Sequence, residues 1–413
     1  MAKHESTHAR FQQAAALFAQ GRAKEAAPLL QLTAAAGDAE AQNLLGVMHL
    51  NGLAVEQDAA RAAELFQTAA LGGLKEAHFN LSNLLYNGIG LSRDHARGQE
   101  HLLAAARAGH RPALRGLGYL YHFMGPAGDW PRLATHCFQL AAQAGDPLSK
   151  YALGLRHARG DGAATDPKAA AYWFNAAAVD RVHLAGQRLA ELGMAAPAAP
   201  QVTPAAVMEL PTCTLPALPA PEPARHKAFM SEYRHALDPY VCDHFMNTAA
   251  PRLAPSGVVD PRTGAALQSR LRTSYSMYYP PSMYDVVTAR ALEVIATIAG
   301  LPPTHAEPLG VLRYGPGQEY QPHYDYYNDD QHEAQRVTTV FVYLNDVEEG
   351  GGTAFPRLGV DVQPERGKAV KFLNCDEQGQ PNPETLHAGL PVVRGEKWLA
   401  TLWFWDRPFP WFT

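Results

Sequence analysis

The sequence predicts a multidomain fold, in which an all-α helical repeat solenoid is followed by an α+β double-stranded β-helix, or jelly roll. Three observations support this prediction. The first half repeats itself every 36 residues, a segment rich in alanine and proline follows, and the remainder carries helical stretches and then short β-branched and aromatic runs separated by glycine. We therefore assign residues 11–193 to helical repeats, 194–225 to a linker and 226–413 to a second domain.

The composition is that of a globular protein. Of the 413 residues, 47% are apolar and 18% charged, which is enough for two or three buried cores. The net charge of -5 comes without the clustered lysines and arginines that phosphate recognition requires, so we expect no nucleic-acid partner. No apolar stretch reaches the roughly 18 residues that a membrane-spanning helix needs, so we expect no membrane partner.

The cysteines indicate the compartment. Four cysteines lie far apart without a CxxC pair, which argues against both a disulfide framework and a zinc site: Cys137, Cys213, Cys242 and Cys375. The N-terminus has no apolar run typical of a secretory signal. The sequence therefore predicts a cytoplasmic location.

The repeat is defined by residues that recur in register. Glycines follow alanine-rich helix ends at Gly37, Gly73, Gly109 and Gly145, and turn aspartates recur at Asp58, Asp94 and Asp166. Each unit is predicted to contain two helices and two turns, with alanines allowing close helix approach and glycines ending the helices. The third unit instead reads HFMGPAGDWPRL at residues 122–133, which predicts a remodelled loop.

The 36-residue pattern A-x-x-x-L-(G)…NG-x-(G)…D…AA-x-x-G resembles Sel1-like repeats, which are relatives of the tetratricopeptide repeat. Four to five units fit between residues 11 and 193. Such repeats are first of all packing scaffolds, because they carry no catalytic chemistry of their own. The resemblance adds an expected role, which is to bind a protein partner.

The linker and the second domain differ in local structure. Closely spaced prolines favour an extended conformation and block helix, so the linker is predicted to be a semi-rigid spacer. After it, helices are expected at 226–253 and 283–300. Strands are expected at 337–347, 369–374 and 397–406, because these runs are rich in β-branched and aromatic residues.

The second domain carries a possible metal site. His323 and Asp325 are two residues apart, so both side chains point to one face if the segment is extended. With His387 they form a set of two imidazoles and one carboxylate, which leaves positions open for substrate and O₂ as in non-haem iron oxygenases. The pair His305 and Glu307 has the same spacing but no cation at a matching interval, so we interpret His305 as an exposed loop histidine.

Three runs extend this pattern through the domain: RYGPGQEYQPHYDYY, RVTTVFVYLNDVEEGGGTAFP and LHAGLPVVRGEKWLATLWF. In order and interval they closely resemble the prolyl 4-hydroxylase family of 2-oxoglutarate dioxygenases over about residues 226–413. The resemblance implies Fe(II) held by His323, Asp325 and His387, 2-oxoglutarate as cosubstrate, and L-ascorbate to re-reduce iron. It also implies hydroxylation of a C–H bond in a peptide or protein, with a prolyl residue as the expected substrate.

The same resemblance implies that Lys397 binds the remote carboxylate of 2-oxoglutarate. A dianion needs a fixed cation at the far end of its pocket, which a lysine with a buried stem supplies. Tyr314 and Tyr343 fall where the family has hydroxyls in or beside this pocket, and core packing is the alternative explanation for each; Tyr343 is expected to point inward. Strand alternation puts Thr401 and Trp403 on the same face as Lys397, so they are expected to line the same cavity.

Other residues that the resemblance highlights are interpreted structurally. The run from Gly350 to Thr353 is expected to form tight turns at the barrel mouth. Arg336 is expected to form an ion pair, and Arg272 is noted without a role. Three alternatives stay open: a dioxygenase acting on another side chain or a small molecule, a non-catalytic Sel1-repeat scaffold, and a cupin-like zinc enzyme, which gives no reason for Lys397.

Overall fold

A computed structural model of the protein describes residues 2–194, 209–218, 220–227, 229–259, 266–268, 271–327, 334–376 and 378–412. Of the predicted linker, residues 195–208 and 219 lie outside this description. The chain divides into two compact units. The first comprises Met1–Ala217, Pro280–Ala289 and Pro410–Thr413, and the second comprises Leu218–Tyr279 and Arg290–Phe409.

The first unit consists of helices, each packed on the next in chain order. They are α1 (Ala2–Ala19), α2 (Ala23–Ala35), α3 (Ala39–Asn51), α4 (Ala59–Leu71), α5 (Lys75–Asn87), α6 (His95–Arg107), α7 (Arg111–His122), α8 (Trp130–Gln143), α9 (Pro147–Arg159), α10 (Pro167–Val179) and α11 (Ala185–Glu191). The starts of α3, α5, α7 and α9 are 36 residues apart, which confirms the predicted period. Among the described residues, no helix is both long and apolar enough to cross a membrane.

Caps explain why particular residues recur in register. The side chains of Asp58, Asp94 and Asp166 accept hydrogen bonds from backbone N–H groups in the first turns of α4, α6 and α10, so each caps a helix N-terminus. Gly52, Gly88 and Gly160 end α3, α5 and α9 in the left-handed conformation. The third 36-residue repeat has neither the aspartate cap nor the glycine end. Its helix α7 ends at Phe123 in a right-handed conformation, and Asp129 makes no side-chain cap before α8.

A second set of recurring residues packs the two helices of a repeat against each other. A Cβ placed on Gly46, Gly118 or Gly154 would lie 2.7 Å or less from the ring of Phe66, Phe138 or Phe174 respectively, so these glycines provide the space into which the phenylalanine packs. The intervening unit has Ser82 and the smaller Leu102 at the same two positions. A larger side chain at one of the two positions is thus matched by a smaller one at the other, which keeps the helix pair close-packed.

The second unit is rich in strands. They are β1 (Arg225–Lys227), β2 (Met230–Tyr233), β3 (Ala254–Pro255), β4 (Gly257–Val259), β5 (Ala266–Gln268), β6 (Tyr275–Tyr278), β7 (Gly310–Tyr314), β8 (Tyr320–His323), β9 (Arg336–Tyr343), β10 (Glu349–Gly350), β11 (Thr353–Phe355), β12 (Val360–Val362), β13 (Ala369–Leu373), β14 (His387–Gly389), β15 (Val392–Arg394) and β16 (Lys397–Trp405). The helices α12 (Pro239–Ala249) and α13 (Val286–Ala299) complete the described elements.

Two antiparallel sheets form the jelly roll. The larger has the order β1-β2-β13-β9-β16-β7-β6-β3, and the smaller has the order β12-β11-β14-β8. Their buried side chains make one core; for example, Phe355 of the smaller sheet lies 5.3 Å from Phe372 of the larger. Strands β9 and β16 pair at the centre of the larger sheet and are buried along almost their whole length.

The predicted helix over 226–253 is partly wrong. Only Pro239–Ala249 is α-helical, with a short 3₁₀ turn after it at Ala250–Arg252, whereas β1 and β2 occupy the beginning of that range. Met230–Tyr233 is buried and pairs with β13, so a partner strand more than 130 residues away determines its conformation. The strands predicted at 337–347, 369–374 and 397–406 agree with β9, β13 and β16 to within a few residues at their ends.

Candidate active site

Two neighbouring strands of the smaller sheet bring the predicted metal ligands together. His323 ends β8 and His387 begins β14, and in the antiparallel pairing these two residues lie directly opposite each other. Asp325 follows β8 by two residues. The three side chains form a cluster whose potential ligand atoms all lie within 4.8 Å of one another.

The distances within the cluster suit a shared ion. Asp325 Oδ1 lies 3.6 Å from His323 Nε2, and Asp325 Oδ2 lies 3.8 Å from His387 Nε2. The Nδ1 atoms of both histidines are turned away, 2.8 Å from the carbonyl oxygen of Gln321 and 3.0 Å from that of Thr385. Because these carbonyls orient the rings, each Nε2 lone pair is free to point at the ion.

The protonation states also favour metal binding. Burial, followed by the neighbouring His387, lowers the pKa of His323, so its ring is neutral near pH 7. Burial alone would raise the pKa of Asp325, but the two histidines and the Thr339 hydroxyl hold it below its usual value. Two imidazoles and a carboxylate are the donor set that suits Fe(II) with open positions, so the residues fit the metal that the sequence implies.

A hydrogen-bonded chain behind the cluster orients the carboxylate. Thr339 Oγ1 donates to Asp325 Oδ2 over 2.9 Å, and Asn374 Nδ2 donates to Thr339 Oγ1 over 2.9 Å. Thr339 and Asn374 are 2% and 1% exposed, so water does not compete for these bonds. Sequence reasoning missed this role of Thr339 and Asn374, because nothing local links Asn374 to Asp325.

Lys397 lies in the same cavity and is 1% exposed. Its Nζ contacts the carbonyl oxygen of Gly352 at 3.2 Å and lies 5.3 Å above the ring of Tyr314. Burial lowers the pKa of Lys397 to about 7, because no described carboxylate forms an ion pair with it. A buried ammonium without a counter-ion is suited to bind an anionic ligand.

Strand pairing explains how the remaining predicted residues reach this cavity. In β16, Lys397 faces Tyr314 of β7, Thr401 faces Gly310 of β7, and Trp403 faces Thr339 of β9. The cavity is lined by Arg272, Leu312, Tyr314, Tyr320, His323, Asp325, Thr339, Phe341, Thr353, His387, Gly389, Lys397, Leu399, Thr401 and Trp403.

Tyr343 is the predicted pocket residue that does not line the cavity. Its side chain is fully buried in the core, and its hydroxyl lies 2.8 Å from Thr353 Oγ1. Tyr314, by contrast, does line the cavity. The Tyr343 ring lies 5.6 Å from Lys397 Nζ, so Tyr343 is beside the pocket and not in its lining. Thr353 lines the cavity, so the glycine-rich run that ends there contributes to the site as well as to the turn.

Two buried nitrogen atoms at the cavity have no acceptor among the described residues: Arg272 Nη2 and Trp403 Nε1. Arg272 is 8% exposed, and its guanidinium lies 5.2 Å above the ring of Tyr320. Tyr320 in turn stacks on His323 with ring centroids 3.5 Å apart. The sequence analysis noted Arg272 without assigning it a role, and it did not single out Tyr320. The only local indication for Tyr320 was its position three residues before His323.

Arg336 forms the ion pair that the sequence predicts. Its Nε and Nη2 lie 2.5 and 2.7 Å from the carboxylate oxygens of Glu307. Trp405 Nε1 donates to the same carboxylate, and His305 Nδ1 lies 3.0 Å from the Trp405 carbonyl oxygen. The interpretation of His305 as an exposed loop residue is therefore wrong, because His305 is half-buried and Glu307 anchors Arg336.

Comparisons with known proteins agree with this architecture. Residues 309–405 match the sequence model of the 2OG-Fe(II) oxygenase superfamily, and the segments 39–74, 75–110, 111–146 and 147–178 each match the Sel1 repeat. A protein named probable prolyl 4-hydroxylase 8 from Arabidopsis thaliana is 34% identical over 194 residues, which are 42% of this chain and 67% of that relative.

Solved structures resemble each half of the chain. The viral collagen prolyl hydroxylase of Paramecium Bursaria Chlorella virus-1 is 28% identical with a TM-score of 0.36, over 44% of this chain and 97% of that one. A Sel1 repeat protein from Oxalobacter formigenes is 26% identical with a TM-score of 0.41, over 44% of this chain and 72% of that one.

The fold and the site define a 2-oxoglutarate- and Fe(II)-dependent oxygenase that carries Sel1 repeats before its catalytic domain. Within that class, the chain belongs to the prolyl 4-hydroxylase family.

Proposed function

We propose that this enzyme hydroxylates a prolyl residue of a peptide or protein with consumption of 2-oxoglutarate and O₂. The observation that carries the proposal is that one cavity is lined both by His323, Asp325 and His387 and by Lys397, which has no carboxylate partner among the described residues. A metal site together with an anion site in one cavity fits a dianionic cosubstrate that chelates the metal at one end.

The residues of the chain would bind, orient and shield the reactants. His323, Asp325 and His387 would hold Fe(II), which when bound supplies the O₂ chemistry that oxidises 2-oxoglutarate and the substrate C–H bond. Lys397 would bind the distal carboxylate of 2-oxoglutarate, assisted by the hydroxyl groups of Thr401 and Tyr314. Apolar neighbours such as Leu399 keep water from the cavity floor.

Two features support a peptide as the substrate. Arg272 and Trp403 line the cavity, and each has a buried N–H group without an acceptor among the described residues. Peptide carbonyl oxygens are the acceptors that a protein substrate would provide. The Trp403 ring, stacked on Tyr278 with centroids 6.2 Å apart, offers an aromatic surface for a pyrrolidine ring. The names of the relatives point to proline in the same way.

The other parts of the proposal are less specific to this site. The Sel1 repeats would bind a protein partner, and L-ascorbate would keep the iron reduced between turnovers. A cytoplasmic location is proposed from the four cysteines, all of which are free thiols. Cell fractionation with antibodies against the chain tests the location, and recovery of the protein in an extracellular fraction would contradict it.

The reaction is tested by incubating the full chain with Fe(II), 2-oxoglutarate, ascorbate and a library of proline-containing peptides. We expect succinate to form in proportion to peptide-bound hydroxyproline, and both to be lost in His387→Ala and without Fe(II). Succinate coupled to a different oxidised product would indicate another side chain or a small molecule as substrate. Absence of succinate with every substrate would favour the non-catalytic scaffold.

A further inference from the structure

In the first compact unit, the repeat helices bind a segment that follows them in the same chain. Residues 210–213, from the proline-rich stretch ELPTCTLPAL, form no regular helix or strand and contact helices α6 and α7. Gln99 receives a hydrogen bond from the Cys213 backbone N–H through Oε1 over 3.0 Å, and its Nε2 lies 3.1 Å from Cys213 Sγ. Tyr121 donates to the Pro211 carbonyl oxygen over 2.7 Å, and Arg107 Nη2 lies 3.4 Å from that of Leu210.

These contacts recognise backbone more than side chains. Two donors bind consecutive carbonyl oxygens, and the Gln99 amide binds the N–H group two residues further along. Pro211 itself is exposed. A proline at this position contributes through its conformation, because it fixes an extended backbone and has no N–H group that an internal hydrogen bond would occupy.

The residues that contact this segment do not recur at the same positions of the neighbouring repeats. At the positions 36 residues before and after Gln99 the chain has Ala63 and Thr135, and around Tyr121 it has Leu85 and His157. Gln99 is 4% exposed and Tyr121 is fully buried, so the bound segment covers their polar groups. The buried amide of Gln99 and the buried hydroxyl of Tyr121 find their partners in residues 210–213, so this surface is built to bind a polypeptide backbone.

We propose that Gln99, Arg107 and Tyr121 form a binding site for an extended, proline-containing polypeptide, and that residues 210–213 are an internal ligand that a second such peptide must displace. Because the internal ligand is part of the same chain, its effective concentration at the site is on the order of millimolar. An external peptide therefore competes poorly until it is abundant or tethered nearby. The proposal concerns binding alone and does not depend on the proposed hydroxylation.

The site is tested by replacing residues 209–214 of the full chain with a Gly/Ser sequence of equal length. A fluorescent peptide with the sequence of residues 209–218 is then titrated under reducing conditions and followed by anisotropy. We expect this peptide to bind the replaced chain at least about tenfold more tightly than the wild type, because the competing internal ligand is gone. Absence of binding to the replaced chain would overturn the proposal.

Point variants in the replaced chain locate the binding. Gln99→Ala and Tyr121→Phe should each weaken peptide binding by about five- to tenfold, which corresponds to one or two lost hydrogen bonds. Gln143→Ala, an exposed glutamine on α8, is the matched control and should leave the affinity unchanged. Equal affinity in the Gln99→Ala and control variants would contradict the assignment. A peptide with both prolines changed to alanine should bind more weakly, and equal binding would remove proline from the proposed ligand class.

A thiol measurement tests the bound state in the otherwise unmodified chain. Burial raises the pKa of Cys213, and the other three cysteines are buried. Reaction of Cys213 with a water-soluble thiol reagent should be slow in the wild type and at least about fivefold faster in Gln99→Ala, because a lost hydrogen bond favours release. Cys213→Ser should abolish this reaction phase. Equal rates in wild type and Gln99→Ala would show that the segment is not held by this site.

Discussion

Individual hydrogen bonds determine the geometry of the metal ligands. Asp325 is the only carboxylate of the cluster, and its Oδ2 atom is held by Thr339, which Asn374 orients in turn. Such a chain reduces the number of orientations that the carboxylate adopts before a metal binds. Thr339 is therefore a positioning residue that acts through Asp325.

We predict that Thr339→Val lowers the affinity for Mn(II), used as a redox-stable substitute for Fe(II), by about ten- to one-hundredfold. Valine keeps the shape of threonine but cannot donate to Asp325. Titration of the metal by electron paramagnetic resonance measures this change. Thr339→Ser restores the hydroxyl and should recover most of the affinity; if the valine variant bound Mn(II) as well as the serine variant, the positioning role would be refuted.

The lowered pKa of Lys397 predicts that the binding of 2-oxoglutarate depends on pH. Its pKa in the ligand-free protein is lowered to about 7 by burial, whereas a bound carboxylate favours the charged form. Below pH 7 the lysine is already charged, so the affinity for 2-oxoglutarate should be constant. Above pH 7 binding must take up a proton, and the affinity should fall by up to about tenfold per pH unit.

Calorimetry in buffers with different ionisation enthalpies measures both the affinity and the proton uptake. Lys397→Ala should weaken 2-oxoglutarate binding by about thirtyfold or more and abolish the uptake. The matched control is Lys371→Ala, which removes another lysine whose pKa is lowered by burial but which does not line the cavity. An unchanged proton uptake in Lys397→Ala would assign the titration to a different group.

At the scale of elements, the two helices of a repeat pack closely because a small residue on one lies against a large side chain on the other. The glycines of α3, α7 and α9 accept phenylalanine rings from α4, α8 and α10. A methyl group on any of these glycines must displace either the ring or the neighbouring helix, because the core is close-packed.

We predict that Gly118→Ala lowers the free energy of unfolding by about 1–3 kcal/mol, since its Cβ would lie 2.7 Å from the Phe138 ring. Adding Phe138→Leu should recover part of this loss, as in the unit that has Ser82 and Leu102. Urea unfolding followed by far-UV circular dichroism gives the midpoints. Gly186→Ala in α11, where a Cβ meets nothing within 4 Å, is the control and should stabilise slightly. Parallel losses in both alanine variants would disprove the steric explanation.

At the scale of the whole molecule, catalytic and repeat functions reside in different units. The proposed metal and 2-oxoglutarate ligands all belong to the second unit, and the proposed peptide site belongs to the first. A ligand that binds only the folded site stabilises the unit that contains it.

We predict that Mn(II) and 2-oxoglutarate, each at about one hundred times its dissociation constant, stabilise the second unit by about 2.7 kcal/mol apiece. Hydrogen exchange detected by mass spectrometry should show the added protection in β8, β14 and β16. His387→Ala should lose this protection, whereas Gln99→Ala should keep it. Protection restricted to the repeats, or preserved in His387→Ala, would contradict the location of the site.

The sequence by itself determined the features that local periodicity and spacing record. The 36-residue register follows from residues that cap helices within their own unit, and Asp58 and Gly52 act within one or two turns of their position in the chain. The two-residue step from His323 to Asp325 likewise follows from strand geometry. The strong strands β9, β13 and β16 were predictable because their residue types favour a buried sheet.

Only the tertiary structure decided the features that depend on distant partners. Residues 230–233 are a strand because β13 pairs with them. Thr339 is held towards Asp325 by Asn374, which lies 35 residues away just after β13, and the Tyr343 hydroxyl meets the cavity lining through Thr353. Residues 210–213 were predicted to be part of a spacer, yet Gln99 binds Cys213 from 114 residues away. Local sequence encodes conformational preference, but contacts across such separations form only when the fold closes the intervening chain.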